Sequence, residues 1–254
     1  MDHSVDVLNA GAEVREPPTP PVLTNLSITA EAPFLLSETS ADPAVLATQA
    51  APAVDHDTRA LDIAIASLLL ILVAPLMAVC ALAIFLSGPG PLIFRQARIG
   101  RNGKEFLCLK FRTMVCDADA AIEKLLQKDA TALEQWRTVQ KLYPDPRVTQ
   151  VGRFMRRYCL DELPQLFNVL AGDMSMVGPR PIVANEIEKY GPNFADYCSV
   201  RPGLTGLWQI SGRHALPYEE RVRLDTNYAR TKSSRGDLLI LWRTVPIVLV
   251  GDNV

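Results

Sequence analysis

The chain holds only three histidines, none of them in a ligand cluster with cysteine, and its five cysteines (Cys80, Cys108, Cys116, Cys159 and Cys198) form no Cys-x-x-Cys pair. A structural zinc site is therefore not expected, and an odd number of scattered thiols reads as reduced and facing the cytosol. No Gly-x-Ser-x-Gly elbow occurs, and His214 lies in a loop without an evident partner, which argues against Ser-His hydrolase chemistry. The first thirty residues lack both a basic start and a continuous apolar run, so no cleaved secretory signal is expected there. No internal repeat is apparent. Charge of one sign is also scarce, with a formal net charge of −2 over 254 residues. That total hides an asymmetry. Residues 1–60 carry two basic residues, Arg15 and Arg59, against nine acidic ones, which leaves 24 basic and 19 acidic residues, a net +5, for the rest. A modestly basic domain suits phosphorylated ligands or an anionic leaflet and falls short of a dedicated nucleic-acid binder, so no nucleic-acid partner is expected.

What is present divides into three parts. Residues 1–56 are rich in Pro, Ala, Thr, Ser and acidic residues, with Pro17, Pro18, Pro20 and Pro21 clustered, and are expected to form a disordered tail. From Ile63 to Leu86 run 24 residues without a charge. As a straight helix they would reach about 36 Å, enough to cross a bilayer. Pro75 stands at the midpoint, however, and a bend there would leave two arms of about 18 Å, each reaching half depth. Arg95, Arg98, Arg101 and Lys104 follow the segment, which favours a cytoplasmic exit, whereas the entry side offers only Arg59. These residues are compatible with a crossing, a re-entrant hairpin or a buried core helix.

After Gly88-Pro89-Gly90-Pro91 the pattern becomes that of a soluble domain of the α+β class, mainly helical. Arg101-Asn102-Gly103-Lys104 between Leu92–Ile99 and Glu105–Arg112 reads as the turn of a β-hairpin, and a period of two puts Lys110 and Arg112 on one face. A polar helix is expected over 117–141, with Ile122, Leu125, Leu126, Leu133 and Val139 as its apolar stripe, ending at the turn Tyr143-Pro144-Asp145-Pro146. Shorter helices are expected over 151–158 and 162–170, the second stopping near Gly172, and an apolar helix interrupted by Pro246 over 237–250, lying along the membrane surface.

The chemistry concentrates after Arg153, Arg156 and Arg157, where Asp161-Glu162-Leu163-Pro164 follows. A proline three positions beyond an aspartate is tolerated if Asp161 caps a helix, and the positive helix end would keep its carboxylate ionised beside a phosphorus atom. Glu162 would then hold a divalent cation. In Gly178-Pro179-Arg180-Pro181 two prolines fix the backbone around one arginine, and in Arg201–Gln209 and Ser211-Gly212-Arg213 glycines would let the backbone approach a ligand. Each segment alone has a plain reading: an N-cap, a rigid turn, a glycine-rich surface loop. Three restricted, arginine-bearing segments flanking one acidic pair point instead to a phosphate site.

Lys110-Phe111-Arg112-Thr113-Met114, Leu160-Asp161-Glu162-Leu163-Pro164-Gln165, Gly172-Asp173-Met174-Ser175, Gly178-Pro179-Arg180-Pro181 and Arg201-Pro202-Gly203-Leu204-Thr205-Gly206 occur in the order seen in the bacterial sugar transferase family. Over residues 57–250 the chain resembles these monotopic polyprenyl-phosphate phosphoglycosyltransferases. The resemblance implies a re-entrant membrane helix over 57–88 bent at Pro75 with both ends cytoplasmic, and a catalytic domain over 89–254 on the cytoplasmic face of the inner membrane. It also implies transfer of a sugar 1-phosphate, glucose or galactose, from a UDP-sugar to polyprenyl phosphate, with release of UMP. Asp161 matches the nucleophile that carries the phosphosugar, and Glu162 the acid associated with Mg2+. Lys110, Arg112, Arg156, Arg180 and Arg213 match basic positions, with Gln209 and Asp225 as further binding residues. Ala74-Pro75 departs from the family's frequent Ser-Pro. The oligomeric state, a homodimer included, is not legible. Two other readings compete: Asp117-Ala118-Asp119 as the metal motif of a glycosyltransferase releasing UDP, and a non-enzymatic adaptor whose basic face binds anionic lipid.

Overall fold

The computed structural model describes residues 56–251, apart from 130, 132, 135, 137–141, 143 and 144. The tail expected over 1–56 falls outside these residues except for His56, which opens the first helix. In chain order the elements are α1 (His56–Leu86), β1 (Ile93–Ile99), β2 (Glu105–Phe111), α2 (Ala118–Leu126), α3 (Gln150–Arg157), a 3-10 turn (Leu160–Glu162), α4 (Gln165–Ala171), β3 (Ser175–Val177), α5 (Ile187–Tyr190), α6 (Phe194–Ser199), β4 (Gly203–Thr205), α7 (Leu207–Ser211), α8 (Tyr218–Thr231) and α9 (Ser234–Val250). The described residues are mostly helical, as expected. The sheets among them are the antiparallel pair β1–β2 and a parallel pair β3–β4 that sequence reading missed.

The hairpin forms where turn chemistry places it. Asn102 (φ 59°) and Gly103 (φ 70°) take the left-handed conformation that Asn and Gly tolerate, and the strands pair from Ile93 opposite Phe111 to Ile99 opposite Glu105. The helix expected over 117–141 is interrupted: α2 ends at Leu126, Gln127 and Lys128 form a turn, Thr131, Leu133, Glu134 and Trp136 are again helical, and the rest of 130–141 falls outside the described residues. α4 stops where Gly172, at φ 94°, supplies the left-handed cap.

α1 reaches a mean hydropathy of 2.9 over an 18-residue window within Thr58–Leu86 and is long and apolar enough to cross a membrane by length and composition. Helix is assigned without a break through Pro75, although proline has no N–H to offer the Ile71 carbonyl. Both arms dock on the domain. At the first arm Arg59 donates to the carbonyls of Val169 (2.7 Å) and Leu170 (3.1 Å), capping the end of α4, while Asp62 accepts from Ser175 Oγ (2.9 Å) and the Met176 N–H (2.8 Å). Ala66 is then fully buried in the central core with Cys108, Leu166, Val169, Met174 and Met176. At the second arm Cys80 and Ile84 pack on Phe111 and Met155. Leu68, Ile71, Leu72, Val79, Leu82, Phe85 and Leu86 point away, forming an apolar face that water would not stabilise. The tip of the hairpin is held by another cluster, in which Tyr197 donates to the Ile99 carbonyl (2.6 Å) and packs with Ile182, Tyr190 and Phe194.

Candidate active site

The acidic pair sits on the 3-10 turn between α3 and α4, at the base of the hairpin. Asp161 was expected to be a helix N-cap and is not one. Cys159 precedes the turn in the left-handed conformation (φ 54°), Asp161 lies inside the turn, and Pro164 is the cap of α4. Because Leu163 and Pro164 also have helical dihedrals, the 3-10 turn runs straight into α4. Asp161 therefore occupies a first turn, where Pro164 costs no hydrogen bond. A left-handed conformation for a non-glycine residue costs about 1–2 kcal/mol. Arg213, at φ 52°, is also left-handed, and its side chain hydrogen-bonds that of Cys159. Two strained residues thus meet beside the carboxylates.

Asp161 is 8% exposed, and among the described residues no other side chain hydrogen-bonds to it. Burial, reinforced by the neighbouring Glu162 charge, pushes its carboxyl above the usual range, while Lys110 and Arg156 pull it back. The expected effect of a helix end, a carboxylate held ionised, is thus outweighed by burial. Glu162 behaves in the opposite way. Burial also acts to raise it, but Lys110 Nζ at 2.7 Å from Oε1, together with Arg180 and Arg213, holds it below its ordinary value. Two adjacent carboxyls therefore have environments that drive their acidities apart, a pattern characteristic of acid-handling sites.

Lys110, Glu162, Arg180 and Gln209 line one recess, together with Arg98, Cys108, Gln165, Pro181, Gly203 and Leu204. Arg180 has no hydrogen-bonded acid or carbonyl among the described residues. Its guanidinium lies 5.6 Å from the centre of the Trp208 ring, whose other cationic neighbour is Arg221 at 5.1 Å. A cation held by a ring and turned to the recess is ready for an anion. Arg156 reaches the site from α3, its Nε bonded to Thr113 Oγ1 at 2.9 Å. Gln209 Oε1 is buried without a donor.

Asp161, Arg156 and Arg213 stand beside the recess without lining it, and two further expected residues are elsewhere. Arg112 does not face the recess: its guanidinium donates to the carbonyls of Ile84 (3.1 Å), Gly88 (2.7 Å) and Pro89 (2.6 Å), at the exit of α1. Period two was right about the strand, but Arg112 lies just beyond its end, where the chain meets the helix terminus. Asp225 is 1% exposed and does not line the recess either. It accepts from the Tyr190 hydroxyl (2.7 Å) and lies 3.7 Å from Arg221, which also pairs with Glu186 (3.2 Å) and reaches the Arg180 carbonyl (3.4 Å). Arg98, Gln165 and Cys108 were not anticipated. Alternation along β1 and β2 puts Arg98 and Cys108 on the face of Lys110, but only the tertiary contact with Pro181 selects Arg98, which donates to that carbonyl at 2.9 Å.

The glycines expected to admit a ligand serve the chain itself. A Cβ on Gly203 would collide with the Gly178 amide, and one on Gly206 with the Gly178 carbonyl. These positions let β3 and β4 pair in parallel, Ser175 beside Gly203 and Val177 beside Thr205, and so aim the Arg180 turn at the acidic pair.

An acidic pair ringed by cations, on a domain carrying a long apolar helix, is an arrangement that suits a phosphorylated ligand. The chain belongs to the bacterial sugar transferase family, whose model matches residues 55–251. It is 46% identical to the exopolysaccharide production protein ExoY of Sinorhizobium fredii over 190 residues, 75% of this chain and 84% of that one. It is 42% identical to the UDP-glucose:undecaprenyl-phosphate glucose-1-phosphate transferase of Caulobacter vibrioides over 209 residues, 79% and 73% of the two chains. It is 45% identical over 195 residues to the undecaprenyl-phosphate galactose phosphotransferase of Salmonella typhimurium, covering 77% of this chain but only 41% of that longer protein.

Proposed function

We propose that this chain transfers a hexose 1-phosphate from a UDP-sugar to polyprenyl phosphate and releases UMP, as a membrane step of exopolysaccharide or capsule synthesis. The observation that carries the reading is Asp161: a buried carboxyl without a side-chain hydrogen-bond partner among the described residues, beside Glu162 and within the field of Lys110 and Arg156. An Asp161 oxygen attacks the phosphorus that bears the sugar, and the bond from that phosphorus to the UMP oxygen breaks, so UMP leaves with the electron pair. An oxygen of polyprenyl phosphate then attacks the same phosphorus and expels the Asp161 carboxylate. The product is a polyprenyl diphosphate sugar and the enzyme is restored. Lys110, Arg156, Arg180 and Arg213 offset the charge that gathers on the phosphate oxygens. Relatives named for glucose and for galactose make UDP-glucose or UDP-galactose the proposed donor.

Mg2+ fits the donor set in one way. Among the described residues no group of three or more His, Cys, Asp and Glu side chains could enclose a metal. Mg2+ is commonly held by one or two carboxylates with substrate phosphates and water completing its shell. Glu162, with Asp161 beside it, supplies such a partial set, and Glu162 Oε2 has no partner among the described residues. The ion would neutralise phosphate oxygens of the bound donor.

The anchor reading is a half-inserted helix with both ends on the cytoplasmic side. Support comes from Arg59 and Asp62 at one arm and Ile84 at the other, all fixed to one domain; a helix crossing the bilayer would carry one of these ends away from it. α9, with Leu238, Leu239, Trp242, Val245, Leu249 and Val250 exposed, would lie against the same surface.

The test is product analysis with UDP-glucose, UDP-galactose and polyprenyl phosphate. UMP release supports this reading, UDP release supports direct glycosyl transfer, and full turnover by Asp161→Asn refutes the assigned nucleophile.

A further inference from the structure

We propose that Arg112 is a positioning residue that couples the exit of α1 to the acidic pair through Lys110; the role rests on the phosphosugar-transfer reading of the site.

The last carbonyls of a helix have no partner within it, and at a lipid boundary few waters are present to replace one. Ser87 Oγ and the Ser87 N–H both bond to the Ile84 carbonyl, and Arg112 adds a further donor there and holds two carbonyls of the loop just beyond the helix. Its Nη2 bonds the carbonyls of Ile84 and Gly88, and its Nη1 bonds that of Pro89. A planar guanidinium can serve several acceptors at once, and its charge suits the negative end of a helix. The seat is shaped for it: Gly90 is in a left-handed conformation (φ 120°), and a Cβ there would collide with Arg112 Nη1 and Cys116 Sγ.

Arg112 is also covalently next to the groups that organise the reaction centre. Two residues earlier Lys110 binds Glu162 at 2.7 Å. One residue earlier Phe111 packs with Ile84 and Met155, between α1 and α3. One residue later Thr113 accepts from Arg156 through its hydroxyl (2.9 Å) and from the Thr149 N–H through its carbonyl (3.0 Å). Four consecutive residues thus fasten the anchor, the core, Glu162 and Arg156. Where α1 sits in the membrane fixes residues 84–89, these carbonyls fix Arg112, and Arg112 fixes the end of β2 from which Lys110 reaches Glu162. The coupling makes the acidic pair sensitive to how the anchor is seated.

The experiment compares wild type, Arg112→Met and Arg112→Lys in lipid nanodiscs by UMP release and by amide hydrogen exchange. Wild-type turnover establishes the underlying reading; its absence would sink that reading and not this one, because exchange reports the coupling without turnover. Arg112→Met is expected to remain membrane-bound, lose at least tenfold in turnover, and exchange faster at 84–90, at 109–113 and at 160–163, with 175–177 unchanged. Arg112→Lys should be intermediate, because an ammonium serves fewer of the acceptors. Faster exchange confined to 84–90 would show a local cap only and overturn the proposal, as would wild-type turnover by Arg112→Met.

Discussion

Lys110 Nζ lies 2.7 Å from Glu162 Oε1, tying the end of the hairpin to the turn that carries both acidic residues. The two residues are 52 positions apart in sequence, and both are about four-fifths buried, with side-chain exposures of 20% and 22%. A buried carboxylate stripped of such a partner is costly, so the bond sets both the position and the charge of Glu162.

Lys110→Met should therefore act through Glu162. Without the lysine, burial pulls the Glu162 carboxyl upward, and the group takes up a proton at higher pH than in the wild type. The acid limb of the rate profile should move to higher pH, and turnover near neutrality should fall by about 100-fold or more, the scale of losing one charge-stabilising group. Rate–pH profiles of the two proteins check this; an unshifted acid limb would detach Lys110 from Glu162.

Asp225 gives a stability prediction. Burial raises its pKa to about 6, against the opposing pull of the Tyr190 hydroxyl and Arg221. Between pH values near 4 and 6 the folded chain keeps a proton that the unfolded chain has released, so this group's contribution falls as pH rises through that window, by up to about 1.4 kcal/mol per unit. Asp225→Asn removes the titration. The stability of wild type relative to the variant should decline from pH 4 to 6 and level off above. Chemical unfolding in detergent measures it, and a pH-independent difference would contradict the buried-proton account.

The half-inserted anchor predicts the sidedness of its flanks. Ala50→Cys and Leu92→Cys, each read against the unsubstituted chain, should react with an impermeant thiol reagent only after cells are permeabilised. Reaction at position 50 from outside intact cells would mean that α1 crosses the bilayer.

Much of this was legible from local rules. Asn102-Gly103 announced the hairpin, the charge-free run from Ile63 announced the buried-or-lipid helix, and Gly172 marked the end of α4. The acidic pair stands out through the arginine-bearing segments that flank it, while Lys110, Arg156, Arg180 and Arg213 are legible only as matches to the family's motifs; the structure sets their charges around the pair. What stayed hidden depends on distant backbone. Nothing near Arg112 reveals that the carbonyls of Ile84, Gly88 and Pro89 will surround it. Glycine's freedom at Gly178, Gly203 and Gly206 reads equally as ligand approach or as strand approach, and only the pairing of β3 with β4 decides for the second. Asp225 enters by the resemblance alone, and that α8 sets it against Tyr190 and Arg221 is a tertiary relationship with no local sign. For Arg98 strand alternation gives only the face; it is selected by the carbonyl of Pro181, 83 positions away.

The account stands on a covalent bond between Asp161 and the sugar-bearing phosphate. Its most direct test is to mix the enzyme with a UDP-sugar in the absence of polyprenyl phosphate, quench, and determine intact and peptide masses. A hexose phosphate adduct on the peptide containing Asp161, absent in Asp161→Asn and discharged when polyprenyl phosphate is added, is the predicted result. Normal product yield with no mass added at Asp161 during turnover would contradict it.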